Sequence, residues 1–326
     1  MSIKSKTRLK KMLNSAAFCT LSFCTITASA AELTLRAAVF APVDTTWGAP
    51  FQILADRINE TGKGVLQIRT IGPEAIPSTE QPNAVRSGLI DMVATPPGMY
   101  KSAMIEANAQ DLSNLSLAEQ RASGGYDALN QILSRKLGAI ALTTYGTGVP
   151  FHLYFTSDDI QKPEDIQELR VRSQPIFSPF FSELSLNQSM IPISEVYTAL
   201  DRKVVQGYGF AAWGLSDMGW DQLTKTRIDP GFYSVVVNVI INEKKLKQLT
   251  PEQTDVITNA VKWFEEEMLV YKKQMDEKNL TEQQNAGIQT VDFGPEFAER
   301  AHNLYWNELE KLSPKEIPKL RVLLEK

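Results

Sequence analysis

The chain has 326 residues, a formal charge of −4, 43% hydrophobic residues and 2 cysteines. A chain of about 300 residues favours two lobes, because a single hydrophobic core stops growing near that size. The acidic balance gives no support for nucleic-acid binding, which begins from a basic surface.

The first thirty residues have the features of a secretory signal peptide. Five Lys and Arg residues without any acidic residue precede an apolar stretch, which ends at Ala28-Ser29-Ala30. This order predicts cleavage after residue 30 and a periplasmic location. The stretch is too short for a membrane anchor, and Phe23 disfavours lipidation of Cys24. Because Cys19 and Cys24 both lie here, the remaining chain has no disulfide, and its net charge is about −9.

Strands and helices alternate in the next part of the chain. Period-two patterns predict strands in ELTLRAAVF, LQIRTIG and LIDMVAT. Helices are predicted from about Gly48 to Asn59 and in PNAVRSG, which ends at Gly88. Strands joined by helices in this order pair in parallel, so a first α/β lobe is expected.

The middle of the chain repeats this theme, and the final third is helical. Strands are predicted in LGAIALTTY, GVPFHLYF, LRVRS, KVVQGYGF and the β-branched FYSVVVNVIIN. Helices are predicted from Ser178 to Leu184 and in SEVYTALDRK. Thr250-Pro251-Glu252-Gln253 then combines an N-cap, a proline at the first helical position and a capping-box glutamine. This helix has no breaker before Gly287, so we expect more than thirty residues that span both lobes.

Catalytic motifs are missing from the sequence. The chain has only two histidines, His152 and His302, and no G-x-S-x-G, H-E-x-x-H, Walker A or dinucleotide-binding glycine pattern. Asp158-Asp159 is more typical of a turn than of a metal site. We therefore expect a protein without enzymatic activity, cofactor or metal, although paired carboxylates among the 38 acidic residues leave an enzyme open.

A more specific pattern runs from Asp165 to Tyr208. DIQELRVRS is followed by PISEVYTALDRKVVQGY, which resembles the signature of the solute-binding proteins of TRAP (tripartite ATP-independent periplasmic) transporters. In that family a D-l-k-G-l-k-I-R-V strand precedes P-m-x-x-x-E-v-Y-x-A-L-x-x-G-x-v-D-G. The matching residues are Asp165, Leu169, Arg172, Pro192, Glu195, Val196, Tyr197, Ala199, Leu200, Val205 and Gly207.

The resemblance implies an α/β, two-lobed periplasmic-binding-protein-like fold with a ligand cleft between the lobes and a long lobe-spanning helix. Lobe I is expected to contain residues 31–149 and about 238–277, and lobe II about 150–237 and 278–326. Hinge closure would trap a small organic acid, which the protein would deliver to the integral membrane subunits of a TRAP transporter.

Arg172 is the first predicted ligand-binding residue. It occupies the last position of its strand, and ligands of open α/β sheets lie beyond the carboxyl ends of strands. The resemblance implies that it pairs with a substrate carboxylate, for which a planar, permanently charged guanidinium is well suited. Arg170 is expected to be an ordinary surface residue.

The sequence departs from the family pattern around the predicted ligand. The second arginine of many members is missing, and Phe151 and His152 lie nearest to its place. V-D-G-x-E-N is replaced by VQGYGF, which ends at Phe210, and Trp213 follows shortly after. Rings in place of polar anchors predict a monocarboxylate with an apolar or aromatic body, including 2-oxo and 2-hydroxy acids. For Phe210 and Trp213, cleft lining and core packing are equally open.

Four further residues are predicted to take part in the ligand site. Glu74 and Tyr100 follow strands and could meet a ligand hydroxyl, Trp47 could cap the cleft, and His152 is the candidate second donor to the acid. Two alternatives to a TRAP binding protein are a ligand-presenting periplasmic sensor and the binding protein of an ATP-driven (ABC-type) uptake system. The signature argues against the second.

Overall fold

Two separate sheets organise residues 32–325, the part of the chain that the computed structural model describes; the predicted signal peptide lies outside these residues. The strands of this part are β1 (Leu33–Val39), β2 (Leu66–Ile71), β3 (Met92–Thr95), β4 (Ala139–Tyr145), β5 (Phe151–Phe155), β6 (Arg170–Arg172), β7 (Asn187–Ser189), β8 (Gly207–Ala211), β9 (Thr226–Asp229), β10 (Val237–Asn242) and β11 (Gln289–Asp292).

The α-helices of this part include one very long element. They are α1 (Ala49–Thr61), α2 (Gln81–Ser87), α3 (Leu117–Ala122), α4 (Gly125–Leu137), α5 (Ser178–Glu183), α6 (Val196–Asp201), α7 (Glu243–Lys247), α8 (Pro251–Asn285), α9 (Pro295–Leu312) and α10 (Ile317–Leu324). No helix within residues 32–325 is both long enough and apolar enough to cross a membrane.

The first sheet has the strand order β2-β1-β3-β10-β4. β1 pairs in parallel with β2 and β3, as the alternation of strands and helices predicts. β10 lies between β3 and β4 and runs antiparallel to both. All six residues of β10, VNVIIN, are buried, which explains its central place, because β-branched side chains pack well on both faces of a covered sheet.

The second sheet has the order β11-β9-β5-β8-β6-β7. β5 runs antiparallel to β8 and β9, while β6 runs parallel to β7 and β8. β6 is therefore an inner strand, and it ends at Arg172 while β8 continues to Ala211. This difference in length leaves the carboxyl end of β6 beside the second half of β8.

Three segments connect the sheets. Residues 146–150 and 230–236 cross together, joined by main-chain hydrogen bonds such as Val235 N to Val149 O (2.8 Å). The third is α8, which starts at the predicted capping box of Thr250 and Gln253 and runs for 35 residues. Its first half packs on α1, and Asn279, near its end, accepts a hydrogen bond from Gly214 N after β8. The predicted two-lobed α/β fold with a long helix is confirmed.

Candidate ligand-binding site

Arg172 lies at the carboxyl end of β6, with its side chain on one face of the second sheet. Val171 points to the opposite face, into a buried cluster that contains Phe177 and Phe181. Arg172 is only 4% exposed, although arginine is rarely buried so deeply without a partner of opposite charge. Arg170 lies on the same face as Arg172, but it stands at the start of the strand and is exposed, whereas Arg172 is buried.

The buried guanidinium is surrounded by neutral acceptors. Nε donates to Ile191 O (3.2 Å), and Nη1 donates to Gly209 O (3.1 Å). With the Gln174 amide oriented to satisfy both partners, its Oε1 accepts from Nη1 at 2.8 Å and Nη2 at 3.0 Å. No Asp or Glu of residues 32–325 pairs with this arginine, and burial lowers its pKa to about 10. A buried cation without a counter-ion is a favourable place for an anionic ligand.

Phe210 and His152 lie on the same face of the sheet as Arg172. Arg172 is aligned with Tyr208 in the pairing of β6 with β8, and His152 is aligned with Phe210 in the pairing of β5 with β8. Phe210 is 6% exposed and its ring packs on Trp220, with 4.7 Å between the centroids. Aromatic side chains therefore cover the face of β8 next to the strand that carries Arg172.

The imidazole of His152 is engaged by an acid from β9. Its Nδ1 lies 3.0 Å from Asp229 Oδ1 and 2.9 Å from Ile228 O. Arg227 donates to both carboxylate oxygens of Asp229, at 2.9 and 3.0 Å. Partial burial acts to raise the pKa of Asp229, but the hydrogen bonds with His152 and Arg227 outweigh it and lower the pKa to about 2. The role of His152 as a second donor to the ligand stays a prediction.

Trp47 and Trp213 are brought together from different sheets. Their rings stack with centroids 5.2 Å apart, and Trp47 Nε1 donates to Trp213 O at 3.3 Å. Trp213 Nε1 donates to Asp276 Oδ1 on α8 (2.8 Å). Beside the stack, Thr46 N donates to Asp217 Oδ2 at 2.7 Å. These contacts join the loop after β1 to the loop after β8, so the tryptophan pair acts as a clasp between the two sheets.

Tyr100 and Glu74 make their hydrogen bonds with residues other than Arg172 and its neighbours. The Tyr100 hydroxyl accepts from Asn238 Nδ2 (2.9 Å) inside the first lobe, and burial raises the pKa of this hydroxyl. Glu74 is exposed, and its Oε1 accepts from Gly72 N (3.1 Å) within its own loop. No hydrogen bond or ring contact of the described residues connects either side chain to Arg172. Their predicted contact with a ligand hydroxyl therefore stays a prediction without support from this geometry.

Sequence reasoning missed two polar residues, the half-buried Gln174 and the buried Asp111. Gln174 covers the outer nitrogens of Arg172; its position in a turn directly after the strand was an available signal. Asp111 is 4% exposed and accepts from Asn108 Nδ2 (3.1 Å), and burial raises its pKa well above the ordinary value. No pattern in DLSNL distinguishes this acid from a surface one. Among the described residues, no group of three or more His, Cys, Asp or Glu side chains could hold a metal ion.

Comparison with known proteins shows the family. Residues 37–312 match the family model of DctP, the bacterial extracellular solute-binding proteins of family 7. A monocarboxylate 2-oxoacid-binding periplasmic protein of Nostoc sp. is 22% identical over 278 residues, which cover 81% of this chain and 75% of that protein.

Solved structures show the same fold. A TRAP periplasmic solute-binding protein from a Sulfitobacter species with bound β-D-galacturonate matches with a TM-score of 0.78 and 17% identity, over 90% of this chain and 99% of that one. A TRAP periplasmic solute-binding protein from Ralstonia eutropha with bound (S)-2-acetolactate matches with a TM-score of 0.74 and 16% identity, over 89% and 98% of the two chains. The predicted resemblance is confirmed: the chain belongs to family 7 of the bacterial extracellular solute-binding proteins, the family of TRAP transporter binding proteins.

Proposed function

We propose that this protein captures a monocarboxylate with an apolar or aromatic body, such as a 2-oxo or 2-hydroxy acid, through an ion pair with Arg172. It would then deliver this acid from the periplasm to the membrane subunits of a TRAP transporter, without chemical turnover. The observation that carries the proposal is the buried guanidinium, which has three neutral acceptors and no acidic partner in residues 32–325. A carboxylate would supply the missing charge and accept two parallel hydrogen bonds.

The surroundings of Arg172 support a single carboxylate on the ligand. The two other side chains near this face that could pair with a carboxylate are already engaged, because Arg227 and His152 both contact Asp229. Arg170 is exposed, and its Nη2 donates to Lys203 O at 3.0 Å. A second carboxylate on the ligand would therefore have no equivalent partner, which argues against dicarboxylates.

The aromatic residues support an apolar ligand body. Phe210 and Tyr208 lie on the same face of the sheet as Arg172. The stacked Trp47 and Trp213 connect the loop after β1 with the loop after β8. Ring edges and faces favour branched aliphatic or aromatic groups over polyhydroxylated ones. The proposal agrees with the monocarboxylate 2-oxoacid named for the Nostoc relative and with the 2-acetolactate bound by the Ralstonia protein.

A thermal-shift screen of the mature protein against organic acids tests the proposal. A ligand at 100 times its dissociation constant adds about 2.7 kcal/mol to stability, so a true ligand gives a plain shift. Arg172→Ala should abolish the shift, whereas Arg170→Ala, a matched change on the same strand, should keep it. An unchanged shift in Arg172→Ala would refute the ion pair, and hits limited to sugars or dicarboxylates would refute the ligand class.

The alternative of a ligand-presenting sensor shares the same binding step and differs only in the partner. A gene for a multi-span permease beside the gene of this protein would favour transport. Loss of uptake of the identified acid when that permease is deleted would separate the two roles.

A further inference from the structure

Within residues 32–325, Gln174 supplies the one side-chain acceptor of the Arg172 guanidinium. Its Oε1 contacts both outer nitrogens, at 2.8 Å from Nη1 and 3.0 Å from Nη2, while the other two acceptors are main-chain carbonyls of Ile191 and Gly209. A single oxygen that bridges both outer nitrogens occupies a position that one oxygen of a carboxylate would take. The amide oxygen therefore lies where a carboxylate oxygen would contact the guanidinium.

The main chain around Gln174 is fixed by hydrogen bonds that do not involve its side-chain amide. The backbone of Gln174 is held by the turn before α5, where Gln174 O accepts from Phe177 N (2.9 Å). The preceding residue is fixed to β7 by a hydrogen bond from Ser173 N to Ser189 O (2.9 Å). The side chain of Gln174 is only half-buried, so rotation about its side-chain bonds carries the amide towards solvent. By contrast, the carbonyls of Ile191 and Gly209 belong to fixed main chain.

We propose that Gln174 is a placeholder that satisfies the Arg172 guanidinium in the empty protein and is displaced by the carboxylate of the ligand. The inference rests on the proposed function and adds an exchange step to it. Exchange of a neutral amide oxygen for a carboxylate is favourable, because the carboxylate supplies a counter-charge and can accept two parallel hydrogen bonds from the guanidinium. Exchange for a ligand amide or hydroxyl gains little. Gln174 would therefore make the site select acids over their neutral analogues, at some loss of affinity.

Calorimetric titration with 4-methyl-2-oxopentanoate, a branched 2-oxo acid, tests the exchange. Gln174→Ala removes the competitor and should bind the probe about tenfold more tightly, which corresponds to about 1.4 kcal/mol. Gln174→Glu places a tethered carboxylate beside Arg172 and should weaken binding by roughly a hundredfold, because the tether gives it a high effective concentration. Gln67→Ala, which changes a half-buried glutamine of the first sheet, should bind within about twofold of wild type. Weaker or unchanged binding by Gln174→Ala overturns the proposal.

A measurement without ligand separates this inference from the proposed function. In the empty protein, Gln174→Glu should raise the unfolding temperature when Arg172 is present, because the new carboxylate forms an ion pair with the guanidinium. In the Arg172→Met background no such pair can form, so the same change should lower the unfolding temperature. If this coupling is found but 4-methyl-2-oxopentanoate does not bind wild type, the placeholder contact is supported and the ligand class is wrong. If Arg172→Ala loses binding while both Gln174 variants bind like wild type, the placeholder is wrong and the ion pair stands.

Discussion

Replacement of Arg172 by methionine should remove ligand binding at little cost to the empty protein. Methionine keeps the length and apolar volume of the arginine stem but carries no charge. Burial lowers the pKa of Arg172 well below its ordinary value, to about 10. Since one pH unit corresponds to about 1.36 kcal/mol, the desolvated charge costs the folded state about 3 kcal/mol, which the variant regains.

The regained energy is offset by the lost hydrogen bonds. The carbonyls of Ile191 and Gly209 lose their side-chain donor, and an unsatisfied buried acceptor costs about 1–3 kcal/mol. The Gln174 amide can turn to water and loses little. The two effects have similar size, so we expect the unfolding free energy of Arg172→Met to lie within about 1 kcal/mol of wild type. A buried arginine that holds an acid in place behaves differently, because breaking such a pair costs about 3–5 kcal/mol.

Urea unfolding of the empty proteins, followed by thermal shift with an identified acid, measures both quantities. The variant should unfold near the wild-type midpoint and show no shift with the acid, whereas Arg170→Met should behave as wild type in both assays. A loss of more than about 3 kcal/mol in the empty variant would show that Arg172 is a structural residue. A retained ligand shift would show that the acid binds elsewhere.

Three further predictions concern other contacts. Trp47→Leu and Trp213→Leu should show a coupling of about 1 kcal/mol in a double-mutant cycle followed by urea unfolding, because stacked rings stabilise each other; additive effects would contradict the clasp. Asp111→Asn should gain stability over wild type as the pH rises above about 4, because burial raises the pKa of the folded carboxyl while the unfolded chain ionises; a gain independent of pH would refute this. Gly209→Ala should lose about 1–3 kcal/mol in the same unfolding assay, because its Cβ would lie 2.8 Å from the Phe177 ring; an unchanged midpoint would show that the ring moves freely.

Helix ends that are set by a capping residue or a glycine were predicted correctly from the sequence. The capping box at Thr250 correctly starts a helix of 35 residues, and Gly88 ends α2 in the left-handed conformation expected of a C-terminal glycine. The β-branched run FYSVVVNVIIN was predicted as one strand, but β10 begins only at Val237. Its first part crosses between the sheets and pairs with the segment before β5, as in the bridge of Ser234 with Pro150. Periodicity cannot show this change of partner.

Short strands escaped prediction for a similar reason. β9 and β11 have four residues each, and they pair in parallel with each other across 63 positions of sequence. Neither has a long alternating pattern, because only two residues of β9 are buried and none of β11. Their stability comes from the partner strand rather than from their own sequence.

In the candidate site, too, the sequence predicted where a residue lies but not which groups it contacts. The position of Arg172 at a strand end could be predicted, because it depends on the alternation in LRVRS and on the resemblance. Its acceptors could not, since Ile191 O and Gly209 O are main-chain atoms 19 and 37 residues away. A carbonyl oxygen has no signature in the sequence. The partner of His152 was hidden in the same way, because Asp229 comes from a strand that was not predicted.

The departure VQGYGF is consistent with the rest of the site when its two faces are considered separately. Gly207 and Gly209 face Phe155 and Phe177, whose rings lie so near that a Cβ at either glycine would come within 2.5 and 2.8 Å of them. The second face of the strand carries Tyr208 and Phe210 beside Arg172. The glycines let rings fill the inner face, and Gly209 also supplies the carbonyl that receives Nη1 of the arginine. A side chain with polar anchors at these positions would disturb both the packing and the guanidinium, which is a physical reason for one charged donor on an aromatic surface.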